Sequence, residues 1–293
     1  MSVVGSGVIP VEVQKLGLLA GNGRFPLLVL EEALKREIAM VVVAIREEAS
    51  PEIEKLATQS QVSLHWIGLG QLGKLIRIFK EESVQKAIMA GQVKHTRIYS
   101  RKGGDSAGRH IILPDVKMMK VFMSLEKRDT QSLIGGVIQE LAKEGIEFID
   151  STVLLEPLLA KAGVLTCRKA NKEELKNIEY GKVIARQLAG LDLGQTIVIK
   201  DQAVVAVEAM EGTDETIRRA SHLAGGGCIT VVKVSRPNQD MRFDVPVVGL
   251  DTLLVLEECN VSALSIDAGK TLILDYDEFI READRLEMTV MVS

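Results

Sequence analysis

The chain has 293 residues, of which 46% are hydrophobic and 26% charged. This length exceeds the size at which a single hydrophobic core is usual, so two domains are expected. The formal net charge of -4 argues against a nucleic-acid-binding protein, because binding a polyanion normally requires a basic surface.

Apolar runs typical of strands alternate with amphipathic stretches typical of helices in the first half. Strands are predicted at residues 15–20, 39–44, 63–67 and 87–90, and helices at 26–35, 69–81 and 133–144. This alternation predicts a parallel α/β layer over residues 15–150. Residues 99–109, rich in Gly, Ser and charge, predict a loop, with an active-site lid as the alternative.

The same alternation resumes after residue 151 and predicts a second α/β domain over residues 151–293. Its strands are predicted at 196–200, 203–208, 228–234, 263–266 and 271–274, and its helices at 172–188, 214–223, 252–259 and 278–286.

No apolar run reaches the about 20 residues that span a bilayer, so any membrane contact is expected to be peripheral. Three scattered cysteines without C-x-x-C spacing favour a reducing, cytoplasmic compartment and argue against an ordinary zinc site.

Residues 21–26, Gly-Asn-Gly-Arg-Phe-Pro, join the first predicted strand to a helix. A helix start offers free backbone N–H groups and a positive dipole end, so this turn suits a phosphate or nucleotide. Packing of the helix against the sheet is the alternative, because many βα turns have similar sequences.

Residues 68–73, Gly-Leu-Gly-Gln-Leu-Gly, match the pattern G-x-G-x-x-G. A dinucleotide site also requires an acidic residue at the end of the next strand, and the sequence there is Ala90-Gly-Gln-Val93. We therefore interpret these glycines as positions of close helix packing.

Glu208, Glu211 and Asp214 follow one another where a predicted strand runs into a helix. Carboxylates at a strand end suit Mg²⁺, which prefers oxygen ligands and retained waters. The alternative is that Thr213 or Asp214 caps the helix. Glu208 within an apolar strand needs a polar partner in either case.

The segment from Lys233 to Gly249 contains Asp240 and Asp244 between two prolines that stiffen the backbone. Stiff loops with carboxylates suit catalysis or metal binding, whereas a surface hairpin with ion pairs is the alternative.

The four histidines share no metal-ligand spacing. Met118, Met119 and Met123 have helical spacing, which favours a place in the core over a lipid-binding surface.

The order of these segments resembles the UDP-2,3-diacylglucosamine pyrophosphatases of the LpxI type, which act in lipid A biosynthesis. The resemblance spans nearly the whole chain from residue 15, and residues 1–14 lie outside it and receive no role. It rests on residues 15–26, 90–93, 127–129, 191–195, 207–214 and 233–246. The last two segments are the most specific.

This resemblance implies two α/β domains joined by a linker, with a Rossmann-like parallel sheet in the first and the lipid substrate in a cleft between them. It implies Mg²⁺-dependent attack of water on the α-phosphorus, giving UMP and 2,3-diacylglucosamine 1-phosphate (lipid X). The family's Arg-x-Asp-Leu-Pro segment is here Arg242-Phe-Asp-Val-Pro246, so Asp244 is the expected catalytic residue.

The resemblance also implies the residues around the substrate. Expected Mg²⁺ ligands are Asp244, Asp240, Glu208, Glu211 and Asp214, and expected substrate contacts are Gly21, Asn22, Gly23, Gln92, Thr213, Lys233, Arg236 and Arg242. A cytoplasmic enzyme peripheral to the inner membrane is expected. The sequence leaves the oligomeric state open, with a homodimer as one alternative. Two other functions remain open, namely a UDP-sugar transferase and a non-catalytic carrier of UDP-sugar or lipid.

Overall fold

The computed structural model describes residues 15–93, 114–127 and 129–293. They form two compact units, which confirms the predicted two-domain α/β fold. Unit 1 contains the described residues up to Leu155 and also the tripeptide Met241–Phe243, whereas unit 2 contains Glu156–Asp240 and Asp244–Ser293. Residues 151–155 and the tripeptide lie in unit 1, whereas the sequence placed both in a continuous domain over 151–293. The predicted loop at 99–109 and the segment 1–14 lie outside the described residues.

Unit 1 is built on a parallel sheet in the order β3-β2-β1-β4-β5. Its strands are β1 (Lys15–Ala20), β2 (Ala39–Ile45), β3 (Val62–Ile67), β4 (Lys86–Ala90) and β5 (Glu147–Phe148). The central strands β1 and β2 are almost completely buried, as expected for strands covered on both faces. The strand order reverses between β1 and β4, which makes the carboxyl ends of these strands the topological switch point.

Five helices of unit 1 fall in the described residues. They are α1 (Phe25–Lys35), α2 (Ile53–Leu56), α3 (Leu72–Glu81), α4 (Val116–Ser124) and α5 (Thr130–Lys143). Helix α4 buries Val121 and packs Met118 against the core. Met119 and Met123 are 48% and 82% exposed, so the prediction that these two methionines belong to the core is wrong.

Unit 2 contains a mixed sheet in the order β6-β13-β11-β9-β7-β8. Its strands are β6 (Gly163–Val164), β7 (Thr196–Lys200), β8 (Ala203–Val207), β9 (Ile229–Lys233), β11 (Val261–Ile266) and β13 (Thr289–Val292). Strands β9, β11 and β13 are parallel to one another, and β7 is antiparallel to both of its neighbours. A separate parallel pair joins β10 (Val247–Val248) and β12 (Leu272–Ile273).

Helices of unit 2 cover both faces of this sheet. They are α6 (Lys172–Gly190), α7 (Thr213–Leu223), α8 (Leu250–Glu258) and α9 (Tyr276–Arg285), with a 3₁₀ turn at Glu156–Leu158. Helix α6 begins with a capping box, in which Asn171 and Glu174 satisfy each other's backbone N–H groups. None of the helices in the described parts of the chain is both long and apolar enough to cross a bilayer.

Candidate functional site

The loops after β1 and β4 are joined by hydrogen bonds at the switch point of unit 1. The N–H of Gly21 donates to the carbonyl of Ala90 at 2.8 Å. Asn22 and Gln92 exchange backbone hydrogen bonds of 2.8 and 3.2 Å. The structure therefore brings together four predicted substrate contacts, Gly21, Asn22, Gly23 and Gln92, at the sheet edge where α/β proteins bind ligands.

The amide groups of this turn are already engaged within unit 1. Besides the two N–H groups above, the N–H of Gly23 donates to Asn22 Oδ1 at 2.8 Å. Arg24 forms an ion pair of 2.7 Å with Glu31. The expectation that the turn offers free backbone N–H groups is therefore wrong for residues 21–23, although their contact with a substrate stays a prediction.

In the second glycine-rich turn, residues 68–73, backbone N–H groups donate hydrogen bonds to two carboxylates and to the side chain of Gln71, which accepts from Gly68 at 2.8 Å. Leu69 N–H donates to Glu47 at 3.0 Å, and Gly73 N–H donates to Asp115 at 2.6 Å. A negative side chain at the start of α3 repels an anionic ligand and complements the helix dipole. These contacts favour the interpretation of this turn as a packing element.

A polar network lies at one edge of the sheet of unit 2, where β9 ends and β7 begins. Thr213 Oγ1 donates to Glu208 Oε1 at 2.9 Å and accepts a hydrogen bond of 2.9 Å from Lys233 Nζ. The second oxygen of Glu208 accepts from the N–H of Gln195 at 3.1 Å. Three predicted site residues thus form one chain of hydrogen bonds, and the partner required by Glu208 is identified.

Asp214, in the first turn of α7, is a fourth predicted site residue at this edge. Gly212 occupies the N-cap position with φ +85°, so the alternative that Thr213 or Asp214 caps the helix is wrong. The pKa of Asp214 is raised, because burial disfavours its charged form more than nearby Lys233 favours it. A desolvated carboxyl beside a lysine at a sheet edge is typical of a functional position.

Glu211 has a structural role in the same region. Its Oε1 lies 2.5 Å from Arg219 Nη2, and its Oε2 accepts the N–H of Ala209 at 3.2 Å. Its pKa is lowered, first by its own backbone N–H and then by Arg219. Both oxygens are engaged, so Glu211 is a poor candidate for a metal ligand.

The segment after β9 is ordered by an arginine that contacts two aspartates. Arg236 donates from Nη1 to Asp244 Oδ2, and its Nε forms an ion pair of 2.9 Å with Asp192 Oδ1 that lacks hydrogen-bond geometry. The N–H of Asp244 donates to the carbonyl of Asp240 at 2.9 Å. Gln239 accepts the N–H of Arg236 at 2.6 Å and donates to the carbonyl of Asp244. The orientation of the Asp244 carboxylate is therefore fixed.

The tripeptide Met241–Phe243 is held within unit 1. The N–H of Ser151 donates to the carbonyl of Met241 at 2.9 Å, and Ser151 Oγ donates to the carbonyl of Arg242 at 2.7 Å. Phe243 packs against the hydrophobic core of unit 1. The backbone of the predicted substrate contact Arg242 is thereby fixed.

Buried polar atoms without a hydrogen-bond partner concentrate at the same edge of unit 2. In the described residues these atoms are Gln195 Oε1, Ser235 Oγ, Arg236 Nε, Ser265 Oγ and Asp267 Oδ1. Gln195 precedes β7, Ser235 and Arg236 follow β9, and Asp267 follows β11. Such atoms are costly unless a ligand or water satisfies them, so this edge is the best candidate for the binding of a polar ligand.

Asp267 is a candidate residue that the sequence did not single out. Its Oδ2 accepts the N–H of Ser235 at 2.7 Å, and its Oδ1 lies 4.0 Å from Arg186 on α6. Lys182 lies nearby on α6, and burial lowers its pKa. The available signal was an acidic residue directly after a predicted strand, the same feature that drew attention to Glu208.

The carboxylates at this edge fit a Mg²⁺ ion only if the substrate supplies further ligands. Within the described residues no three His, Cys, Asp or Glu side chains gather around one point that could hold a metal ion. Mg²⁺ is often bound by one or two carboxylates together with phosphate oxygens of a substrate. Since both oxygens of Glu208 and Glu211 are engaged, Asp214 is the best placed of the predicted ligands near α7.

Fold and site together define a two-domain α/β protein with a buried polar edge suited to an anionic substrate. The family model of the LpxI N-terminal domain matches residues 15–158, and that of the LpxI C-terminal domain matches residues 161–291. The chain belongs to the LpxI family.

One curated relative is the UDP-2,3-diacylglucosamine pyrophosphatase LpxI of Caulobacter vibrioides. It is 26% identical over 289 residues, which cover 95% of this chain and 97% of the relative. A solved structure, the crystal structure of isoflavone reductase, is 12% identical with a TM-score of 0.29 and covers 96% of this chain and 78% of its own. The second likeness is too weak to support an argument.

Proposed function

We propose that this chain hydrolyses UDP-2,3-diacylglucosamine to UMP and 2,3-diacylglucosamine 1-phosphate in lipid A biosynthesis. The observation that carries the proposal is the match of both LpxI domain models together with a relative of the stated activity over 95% of the chain. The polar edge of unit 2 supports it, because a diphosphate and a sugar can supply hydrogen bonds to the buried atoms there.

Asp244 is proposed to orient the water that attacks the α-phosphorus. Arg236 fixes this carboxylate, and a fixed acceptor is what positioning of a nucleophile requires. An ionised aspartate is a weak base, so positioning and charge stabilisation supply most of the rate acceleration. Lys233 and Arg236 neutralise negative charge that develops on the diphosphate as its bridging bond breaks.

Mg²⁺ is part of the proposal. Asp214 and Asp244 are the residues that would hold the ion, together with phosphate oxygens of the substrate. When bound, the ion neutralises charge on the diphosphate oxygens. Asp240, predicted as a further ligand, acts through its carbonyl in holding the N–H of Asp244.

Peripheral contact with a membrane surface is also proposed, since the substrate carries two acyl chains. Helix α4 supports this part, because Val116, Met119 and Met123 expose an apolar stripe that also contains exposed Lys120. Apolar side chains next to lysines suit the surface of an anionic bilayer.

The proposal is tested by incubating the purified chain with UDP-2,3-diacylglucosamine and Mg²⁺ in ¹⁸O-labelled water, with and without EDTA. We expect metal-dependent hydrolysis with the label in UMP. The variant Asp244→Ala should lose at least about 10²-fold in kcat. A matched control is Asp277→Ala, which removes an exposed carboxylate from the first turn of α9.

Other outcomes distinguish the alternatives. Label in the lipid phosphate places attack on the sugar-side phosphorus. Release of UDP only when an acceptor is added indicates a transferase. Binding of substrate without turnover, unchanged in Asp244→Ala, indicates a carrier and contradicts the proposed hydrolysis.

A further inference from the structure

Two leucines directly after α6 expose most of their apolar surface. Leu191 is the C-cap residue of α6 and is 71% exposed, and Leu193 is 54% exposed. Single exposed leucines are common on protein surfaces and need no explanation by themselves. The position of this pair makes it informative.

The residue between the two leucines contacts the arginine that orients Asp244. Asp192 Oδ1 lies 2.9 Å from Arg236 Nε, and the same guanidinium donates from Nη1 to Asp244. Asp192 and Asp244 are thus separated by the width of one guanidinium group. Leu191 and Leu193 are therefore the sequence neighbours of a residue that lies one guanidinium group away from the proposed catalytic carboxylate, and all these residues belong to unit 2.

The turn that carries the leucines is fixed by its backbone. The N–H groups of Leu191 and Leu193 donate to Gln187 and Leu188 at 3.1 and 3.2 Å. Asp192 adopts φ +60°, which reverses the chain direction after the helix. A side chain at Gly194 would overlap the carbonyl of Glu208, so the chain passes tightly against the strand end. Two exposed leucines on a fixed turn form a preformed apolar surface.

We propose that Leu191 and Leu193 bind the acyl chains of the diacylated sugar whose diphosphate is cleaved beside Asp244. This inference rests on the proposed function. In a 2,3-diacylated glucosamine 1-diphosphate one acyl chain begins at C2, next to the carbon that bears the diphosphate, and the other begins at C3, one carbon further on. A diphosphate held near Asp244 therefore starts both chains in this part of unit 2, and the methylenes beyond the first few run over Leu191 and Leu193. Apolar surface there stabilises long chains by excluding water from them.

The proposal predicts a dependence on acyl-chain length that comes from these two residues. The test compares the double variant Leu191→Ser/Leu193→Ser with the unaltered chain on UDP-diacylglucosamines with short and long acyl chains, in one detergent. We expect kcat/KM for the long-chain substrate to fall about 10-fold, whereas kcat/KM for the short-chain substrate stays nearly unchanged.

The matched control is Leu223→Ser, which removes a leucine that is 61% exposed at the far end of α7. This control should leave the chain-length dependence unaltered. An equal fall with both substrates, or no fall with either, overturns the acyl-chain assignment and leaves the proposed hydrolysis intact. A change of oligomeric state in the double variant also overturns it and assigns the leucines to self-association. Failure of the unaltered chain to hydrolyse either substrate overturns both proposals.

Discussion

Arg236 donates a hydrogen bond from its guanidinium to the Asp244 carboxylate while the opposite side of the same group faces Asp192. One planar cation thus connects the proposed catalytic residue to the end of α6. A lysine cannot replace it, because an ammonium is a point charge without the two-sided fork of a guanidinium. The orientation of Asp244 therefore depends on the shape of residue 236 as well as on its charge.

We expect Arg236→Lys to lower kcat by about 10²-fold, because Asp244 loses its fixed orientation while the positive charge remains. KM should change less, since the variant keeps a cation near the substrate. Steady-state kinetics with UDP-2,3-diacylglucosamine measure both constants. The control Asp192→Asn removes only the outer ion pair and should lower kcat by a smaller factor. Equal kcat for Arg236→Lys and the unaltered chain would contradict the positioning role.

Thr213 connects Lys233 to Glu208 through a single hydroxyl group. Thr213→Val keeps the size of the side chain but leaves both charged partners without that bond. We expect it to lower the free energy of unfolding by about 1–3 kcal/mol. Urea denaturation measures this change. Thr213→Ser restores the hydroxyl and should recover most of the stability, and equal stability of the Val and Ser variants would show that the network contributes nothing.

The strands and helices near the site follow from local pattern, whereas the contacts between them do not. The apolar run of β9 and the acidic residues after β8 predict that polar site residues lie at the ends of these strands. The pattern does not show that the N–H groups of Gly21 and Asn22 donate to the carbonyls of Ala90 and Gln92, because this depends on pairing between residues about 70 positions apart. The transfer of Met241–Phe243 to unit 1 is likewise decided by long-range contacts such as those of Ser151.

Helix α4 and strand β13 are among the elements that escaped prediction, and they did so for different physical reasons. Helix α4 is amphipathic, but its methionines occur on both the packed and the exposed face, so periodicity in this residue type misassigns Met119 and Met123. Strand β13 has only four residues and follows a helix closely. The role of Asp267 depends on a neighbouring strand, since its hydrogen bond to the N–H of Ser235 forms only when β9 and β11 pair.

Glu144 provides a prediction about stability and pH in unit 1. Hydrogen bonds from Lys117 and then Lys80 lower the pKa of Glu144 from 4.5 to about 2. A carboxyl whose pKa is lower in the folded state contributes stability above its ordinary pKa and loses it as pH falls towards the folded value. The melting temperature of Glu144→Gln should therefore lie below that of the unaltered chain at neutral pH, and the difference should shrink as pH falls from 4.5 towards about 2.

The effect of Glu144→Gln should also weaken in high salt, because the ion pairs lie at the surface. Glu81→Gln is the matched control, since Glu81 is 69% exposed and its ion pair with Arg77 measures 3.9 Å. A pH-independent difference for Glu144→Gln would assign its effect to packing instead of charge. Thermal unfolding followed by circular dichroism over a pH series measures these differences.

Vesicle binding tests the exposed stripe of α4. We expect Met119→Glu/Met123→Glu to reduce co-sedimentation with vesicles of phosphatidylcholine and phosphatidylglycerol, because carboxylates oppose both apolar insertion and attraction to anionic lipid. Met210→Glu is the control, since Met210 is 84% exposed in unit 2 without an apolar helical stripe. Equal sedimentation of the double variant and the control would contradict a membrane role for α4.

Alanine substitutions at Gly91 and Gly145 distinguish the cost of forcing two loops apart from the cost of backbone strain alone. Both glycines belong to unit 1 and have positive φ, +86° and +83°, so an alanine at either position costs about 1–2 kcal/mol in the left-handed region. An added Cβ meets nothing within 4 Å at Gly145, whereas at Gly91 it overlaps the carbonyl of Asn22 and lies 2.8 Å from Pro26 Cγ. Gly91→Ala should therefore lower the free energy of unfolding well beyond the loss in Gly145→Ala, because the loops after β1 and β4 must separate. Equal losses for the two variants in urea denaturation would show that these loops are not held at the distance that the structure gives.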